Sequence, residues 1–155
     1  MKVTFGFDTS GLVSLGHTGL VEEIVNTCNI VVTESILDEL YDIGNWGDLD
    51  AKSAKMWLKC LGDLDVRDSE RRENAEDELF IICNQEGIPI VIDDIKAFKR
   101  FDGLIECLFS VHIVYFLYKS NKITRESALL SIEKMRVERD WKRNIIALTG
   151  WILFE

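Results

Sequence analysis

Residues 88–94 read Ile-Pro-Ile-Val-Ile-Asp-Asp, a short apolar run that stops on two carboxylates. A run of this length, rich in β-branched residues, is the pattern of a strand buried on both faces. The helical spacing from Asn74 to Cys83 precedes it, with Gly87 as a helix stop. Ile95 to Arg100 follows it and again reads as helix. Helix, strand and helix around one apolar run form the unit from which parallel α/β sheets are assembled.

The rest of the chain repeats the alternation. Lys2–Phe7 carries Val3, Phe5 and Phe7 and ends at Asp8-Thr9-Ser10, a strand running into a helix cap. Leu20, Val21, Ile24 and Val25 fall at helical spacing, and Asn29–Thr33 (NIVVT) reads as a second strand. Thr33 can cap a helix over Glu34–Asp42, another helix covers Ala51–Leu61, and Asp65–Arg67 is a weak strand. The charge run Asp68–Asn74 reads as a solvated loop. Helices are expected over Leu104–Lys119, from a cap at Thr124, and over the apolar Asn144–Leu153. The fold class is therefore α/β: a central parallel sheet flanked by helices, with a helix-rich C-terminal half. At 155 residues the chain is close to the ~150-residue prior for one domain.

Composition narrows the function classes. An apolar share of 47% supports a core, and the net charge of −9 excludes a uniformly basic nucleic-acid coat but not a local basic strip. The run Leu104–Tyr118, interrupted by Glu106, Ser110 and His112, is shorter than the ~18 to 20 apolar residues that a membrane span needs. Lys2 followed by Asp8 does not suit a signal peptide. Cys28, Cys60, Cys83 and Cys107 lie far apart without a CxxC, as buried thiols rather than a disulfide frame or zinc site. A reducing cytoplasm without membrane attachment is the expected setting.

In open parallel sheets ligands bind beyond the carboxyl ends of the strands. Asp8 ends the first strand there and Asp93-Asp94 the IPIVI strand. On the Glu34 helix, Ile36, Leu37, Leu40, Tyr41 and Ile43 define the inner face; Glu39 and Glu34 lie at its margins, and Asp38 and Asp42 lie opposite. On the Asn74 helix the stripe is Ala75, Leu79, Ile82 and Cys83, with Glu78 at one margin, Glu76 within reach of the other, and Asp77 facing away. Singly, each acid can be a helix cap or dipole partner. Together, one acid from each strand end and each helix margin can converge on one pocket. Such a cluster repels itself unless a divalent cation neutralises it, and all-oxygen donors select Mg²⁺ or Mn²⁺ over zinc. Mg²⁺ held by carboxylates serves phosphoryl chemistry.

The stretches FDTSGLVSLG (Phe7–Gly16), ILDEL (Ile36–Leu40), AEDELFIICNQEG (Ala75–Gly87) and PIVIDDIKAF (Pro89–Phe98) stand in this order along the chain. With them the sequence resembles the PIN-domain nucleases, in the VapC-like branch of small prokaryotic PIN proteins, over roughly residues 1–125; residues 126–155 form a C-terminal helical extension. The resemblance implies a single PIN-like domain and a metal-dependent endoribonuclease, for some members the toxin of a toxin–antitoxin pair. Carried onto matching positions, Asp8, Glu39, Glu78 and Asp94 would be the catalytic metal ligands, with Asp93 competing with Asp94. Ser10 would order water, and Ser110 would stand where the family has a hydroxyl at the start of the next helix. The glycine of the family's GExE-like setting is replaced here by Ala75, and Ile-Lys-Ala-Phe follows Asp94 in place of an Arg-rich stretch.

Rival chemistries lack their residues. A haloacid-type phosphatase needs Asp-x-Asp after the first strand, where this chain has Ser10; the acidic pair comes too late for a receiver domain; and GxxxxGK[ST] and GxGxxG do not occur. His17 and His112 are isolated, and His112 reads as a packed or rim histidine rather than a ligand. The other reading is a non-catalytic PIN-like module that binds RNA or a protein. Basic residues group at Arg71-Arg72, at Lys96, Lys99 and Arg100, and at Arg136, Arg139, Lys142 and Arg143. Lys96, Lys99 and Arg100 follow the Asp93-Asp94 strand end and are the expected phosphate contacts. The expected partners are an RNA substrate, an antitoxin protein if the chain is a toxin, and a second copy in a homodimer.

Overall fold

The computed structural model describes residues 2–68, 74–141 and 144–155. Five parallel strands form one sheet: β1 (Val3–Phe7), β2 (Cys28–Thr33), β3 (Leu64–Arg67), β4 (Ile90–Val91) and β5 (Cys107–Leu108), in the order β3-β2-β1-β4-β5. The chain winds outward from β1 through β2 to β3, then crosses back to β4 on the other side of β1. The order therefore reverses between β1 and β4, and the crevice at their carboxyl ends is the switch point where α/β sheets hold ligands. Asp8 and Asp94 belong to those two strand ends.

The helices among the described residues are α1 (Thr9–Gly16), α2 (Val21–Thr27), α3 (Glu34–Gly44), α4 (Leu49–Leu58), α5 (Ala75–Glu86), α6 (Ile95–Phe101), α7 (Ser110–Lys119), α8 (Arg125–Glu138) and α9 (Ile145–Leu153). None is long and apolar enough to cross a membrane. Their starts follow the capping residues of the sequence. Thr33 Oγ1 accepts the Ile36 amide, Asn74 accepts that of Asp77, and Thr124 that of Ser127. Gly87 closes α5 with φ 67°, a left-handed conformation that glycine adopts without strain.

Two expectations change. The IPIVI run pairs in register only at Ile90 and Val91, although main-chain bonds continue from the Pro89 carbonyl to the Ile92 amide. Proline has no N–H to give the ladder. The expected helix from Leu104 starts only at Ser110, because Cys107-Leu108 adds a short edge strand. A two-residue apolar strand running into a helix has no period of its own. Of the charge run, residues 69–73 lie outside the described residues.

The core lies on both faces of the sheet, centred on Phe7, Leu12, Ile30, Leu40, Leu79, Ile90 and Ile113. All four cysteines are free thiols, and burial pushes those of Cys28 and Cys83 up to about 12. Of the apolar C-terminal residues, Ile146 faces inward and Leu153 is half-buried, while Ile145, Leu148, Trp151 and Ile152 are exposed. The inward side of α9 sits on α7 and α8 through Gly150, where a methyl group would lie 3.0 Å from Val111 and 3.1 Å from Ile132.

Helix α1 carries Asp8 at its cap and is clamped by α4. Trp57 Nε1 donates to the Leu12 carbonyl at 2.6 Å, and Ser53 Oγ donates to that of Val13. Gly16 allows this approach, since a Cβ there would collide with Ser53 Oγ and lie 2.8 Å from the Ser53 carbonyl oxygen. Gly16→Ala is expected to lower stability by about 1–3 kcal/mol in urea unfolding, as overpacking of a fixed contact does. At Gly62 an added methyl meets open space, and Gly62→Ala should stay within about 0.5 kcal/mol of wild type.

Candidate functional site

A cavity of about 430 Å³ opens at the carboxyl ends of β1 and β4, and its walls include Asp8, Ser10, Glu39, Trp46, Asp50, Glu76, Asp94 and Arg139. Cavities of this size accept small ligands or single groups of larger ones. A second cavity of about 430 Å³ lies at the amino end of the sheet, around Arg67. Arg67 is already paired with Asp65 at 2.9 Å and Glu86 at 2.6 Å.

Ser10 organises the acidic cavity. Its hydroxyl donates to Asp8 Oδ2 at 2.8 Å and accepts the main-chain amides of Asp93 at 2.9 Å and Asp94 at 3.2 Å. One side chain thus ties the end of β1 to the segment leaving β4. Asp8 caps α1 through the Ser10 amide and is buried. Asp94 is exposed and caps α6, where Oδ1 accepts the amides of Lys96 at 3.0 Å and Ala97 at 3.2 Å. Glu39 reaches in from α3 and accepts the Thr9 hydroxyl at 3.1 Å.

Of the two α5 acids, the one that lines the cavity is not the one matched through the resemblance. Glu76 lines the cavity, whereas Glu78 is not among its lining residues. Glu78 is buried and accepts the Ser35 hydroxyl at 2.7 Å, with its Oε1 lacking any partner. Residues two apart on a helix point about 200° from each other, so both cannot face one cleft. Leu79 and Cys83 pin α5 over Gly6 of β1. At about 100° per residue, Glu76 lies about 60° from Leu79 and Glu78 about 100° on the other side. That arithmetic sets the two acids on opposite sides of the stripe, and the packing of α5 decides that the Glu76 side meets the cavity.

Asp93 and Ser110 also have other roles. Asp93 is buried and accepts the Ser110 amide at 2.8 Å and its hydroxyl at 2.6 Å, which fastens the end of β4 to the start of α7. Neither residue lines the cavity, so Asp93 is not placed as a ligand nor Ser110 as a water-ordering group. Of the expected phosphate contacts, Lys96 and Lys99 are exposed on α6, and Arg100 is bonded to Glu76 at 3.1 Å and Asp77 at 3.0 Å. Arg136 pairs with Glu133, while Arg71, Arg72, Lys142 and Arg143 lie outside the described residues. His112 is a packed residue whose Nδ1 accepts the Phe109 amide at 2.9 Å, and burial pushes its pKa down.

Sequence reasoning missed Trp46, Asp50 and the position of Arg139. Trp46 is 63% exposed in the turn between α3 and α4 yet lines the cavity. Arg139 comes from the C-terminal end of α8, far along the chain. The glycines flanking Trp46, Gly44 and Gly47, signalled a turn, but neither its exposure on the cavity wall nor the approach of Arg139 had a local signal.

The acids disturb one another. Burial is the main cause that raises the Asp8 pKa, with Asp94 adding repulsion and the hydrogen bonds from Ser10 and Thr9 opposing. Shielding in the cleft raises Glu39, and Asp8 and Glu76 raise it further. Glu76 is raised by shielding, Asp8 and Asp94, against the pull of Arg100. Four oxygen-donor side chains with excess negative charge suit a hard divalent cation. Among the described residues, no three acidic, histidine or cysteine side chains stand close enough to form a ready ligand cage. Mg²⁺ does not require one, because it keeps several waters and is often held by one or two carboxylates.

Neither a protein-family model nor a curated protein sequence matches the chain.

A carboxyl whose pKa is higher in the folded than in the unfolded chain binds more protons when folded. Its stabilisation is full below the unfolded value near 4 and is lost as pH rises through the raised folded value. In EDTA, the melting temperature should therefore fall as pH rises from about 4 toward 7. Asp8→Asn keeps the cap and removes the most buried of the repelling charges in the cleft, so it should melt higher than wild type at pH 7 in EDTA. A mutant that melts lower would show that Asp8 is not under electrostatic strain.

Proposed function

We propose that the chain is a divalent-metal-dependent endoribonuclease of the PIN type. The observation that carries this reading is the convergence of Asp8, Glu39, Glu76 and Asp94 on one cleft at the switch point of a parallel sheet. Mg²⁺ or Mn²⁺ would be held by one or two of these carboxylates, with the others adding negative charge around its waters, and when bound it supplies charge neutralisation and water orientation for phosphodiester hydrolysis. The chain's own part is positioning. Ser10 holds the Asp8 carboxylate in one orientation, and two main-chain amides in turn hold Ser10. Thr9 does the same for Glu39. Preorganised charge of this kind does not have to be reoriented during the reaction.

A non-catalytic module that binds RNA or protein is the second reading, favoured by the absence of a ready ligand cage among the described residues. A toxin role with an antitoxin partner, a cytoplasmic location and a homodimer belong with the first reading. The outward residues Ile145, Leu148, Trp151 and Ile152 of α9 are the surface on which a second copy would be sought.

Calorimetric titration with Mn²⁺ separates the two readings, since an adaptor need bind none. For the nuclease, we expect saturable Mn²⁺ binding and a melting temperature that rises with Mn²⁺ concentration. We also expect cleavage of single-stranded RNA that falls at least about 100-fold in Asp94→Asn, a change that keeps volume and capping but removes a charge. Equal cleavage by Asp94→Asn and wild type at saturating Mn²⁺ would remove Asp94 from the site.

A further inference from the structure

Four carboxylates create a problem for any nucleic-acid substrate, because the phosphodiester that must enter the cleft is itself an anion. Of the basic residues chosen from sequence, Arg100 is already engaged by Glu76 and Asp77. Among the described residues lining the cavity, Arg139 is the sole lysine or arginine. Its Nη1 donates to Asp50 Oδ2 at 3.0 Å, while its Nε is buried without a hydrogen-bond partner. A guanidinium carries five N–H donors in a planar fork, suited to phosphate.

The anchoring of Arg139 is built from three elements. Asp50 of α4 accepts from Arg139 through Oδ2, and its Oδ1 faces His17 Nε2 at 2.8 Å. The other ring nitrogen of His17 faces Glu138 Oε2 at 3.1 Å, and His17 is itself the C-cap of α1. Beyond Arg139, Asp140 adopts φ 55° and Trp141 returns its amide to the Arg136 carbonyl at 2.8 Å. The end of α8 is therefore locked where Arg139 enters the cleft. Trp46 is a second unexplained feature: a large aromatic side chain left 63% exposed on the wall of a charged cleft. Bases of unpaired strands stack on such side chains, and each stacked base contributes whatever its identity. Bases in a duplex have their faces covered.

Building on the nuclease reading, we infer that Arg139 and Trp46 are the substrate contacts of this cleft and set its preference for unpaired strands, the Arg139 guanidinium taking a backbone phosphate and the Trp46 indole an unpaired base. Lys96 and Lys99 would then contact the backbone only outside the cavity.

The test is fluorescence anisotropy with a labelled oligouridine and a labelled RNA duplex of equal length, with Ca²⁺ in place of Mn²⁺, over a range of salt concentrations. Arg139→Gln should weaken oligouridine binding about tenfold or more and reduce the salt dependence by about 0.7 in the log–log slope, the share of one phosphate on a single strand. Arg139→Lys keeps the ion pair with Asp50 and the charge, and should restore the slope but not the full affinity. Trp46→Ala should weaken oligouridine binding about 5- to 100-fold at an unchanged slope, and bring it toward the weaker affinity for duplex. Mn²⁺ calorimetry should still show saturable binding in every variant, no weaker than wild type in Arg139→Gln, where a repelling positive charge has gone. Wild-type affinity and slope in Arg139→Gln, wild-type affinity in Trp46→Ala, or no binding of oligouridine by the wild type would each overturn the inference. The nuclease reading itself fails on a different result, the absence of Mn²⁺ binding by the wild type.

Discussion

The Ser10 hydroxyl gives its proton to Asp8 and takes the main-chain amides of Asp93 and Asp94, and these three bonds join two strands that lie side by side in the sheet but 80-odd residues apart in sequence. Parallel neighbours cannot be linked by a short turn, so a long crossover separates them and side-chain bonds must set how their ends meet. Remove the hydroxyl and two amides at the end of β4 lose their acceptor while Asp8 loses its fixed orientation. The clamp of α4 on α1, through Trp57, Ser53 and Gly16, keeps Ser10 in place from the other side.

That frame brings like charges together, and the rest of the chain limits the consequence. Arg100 draws on Glu76 and Asp77 at the cleft's outer side, and Arg139 draws on Asp50 at another. Asp93 is removed from the cluster altogether, its carboxylate spent on the first turn of α7. What is left, Asp8 and Glu39 above all, is compensated by hydroxyl and amide donors rather than by cations, and these donors only partly oppose the burial and mutual repulsion that raise both pKa values. A site held in this way is stabilised by whatever positive charge enters it.

The C-terminal extension belongs to the same structure. Helix α9 lies on α7 and α8 through Gly150, and α8 delivers Glu138 and Arg139 to His17 and Asp50. Elements from the first, middle and last parts of the chain thus meet in one polar network beside the acids.

Sequence alone determined the alternation of strand and helix, the parallel sheet, the caps at Asp8, Thr33, Asn74 and Thr124, and the two carboxylates that end β1 and follow β4. These follow from periodicity and capping, which act over a few residues. The tertiary structure decided the rest. It chose Glu76 over Glu78, because the side of α5 that meets the cleft is set by Leu79 and Cys83 seating on Gly6. It gave Asp94 the cleft and Asp93 the interior, because Ser110 arrives beside Asp93 only when α7 docks. It exposed Trp46 on the cavity wall and brought Arg139 to it from the far end of the chain. Contacts between residues distant in sequence leave no local pattern, since they depend on where whole helices come to rest.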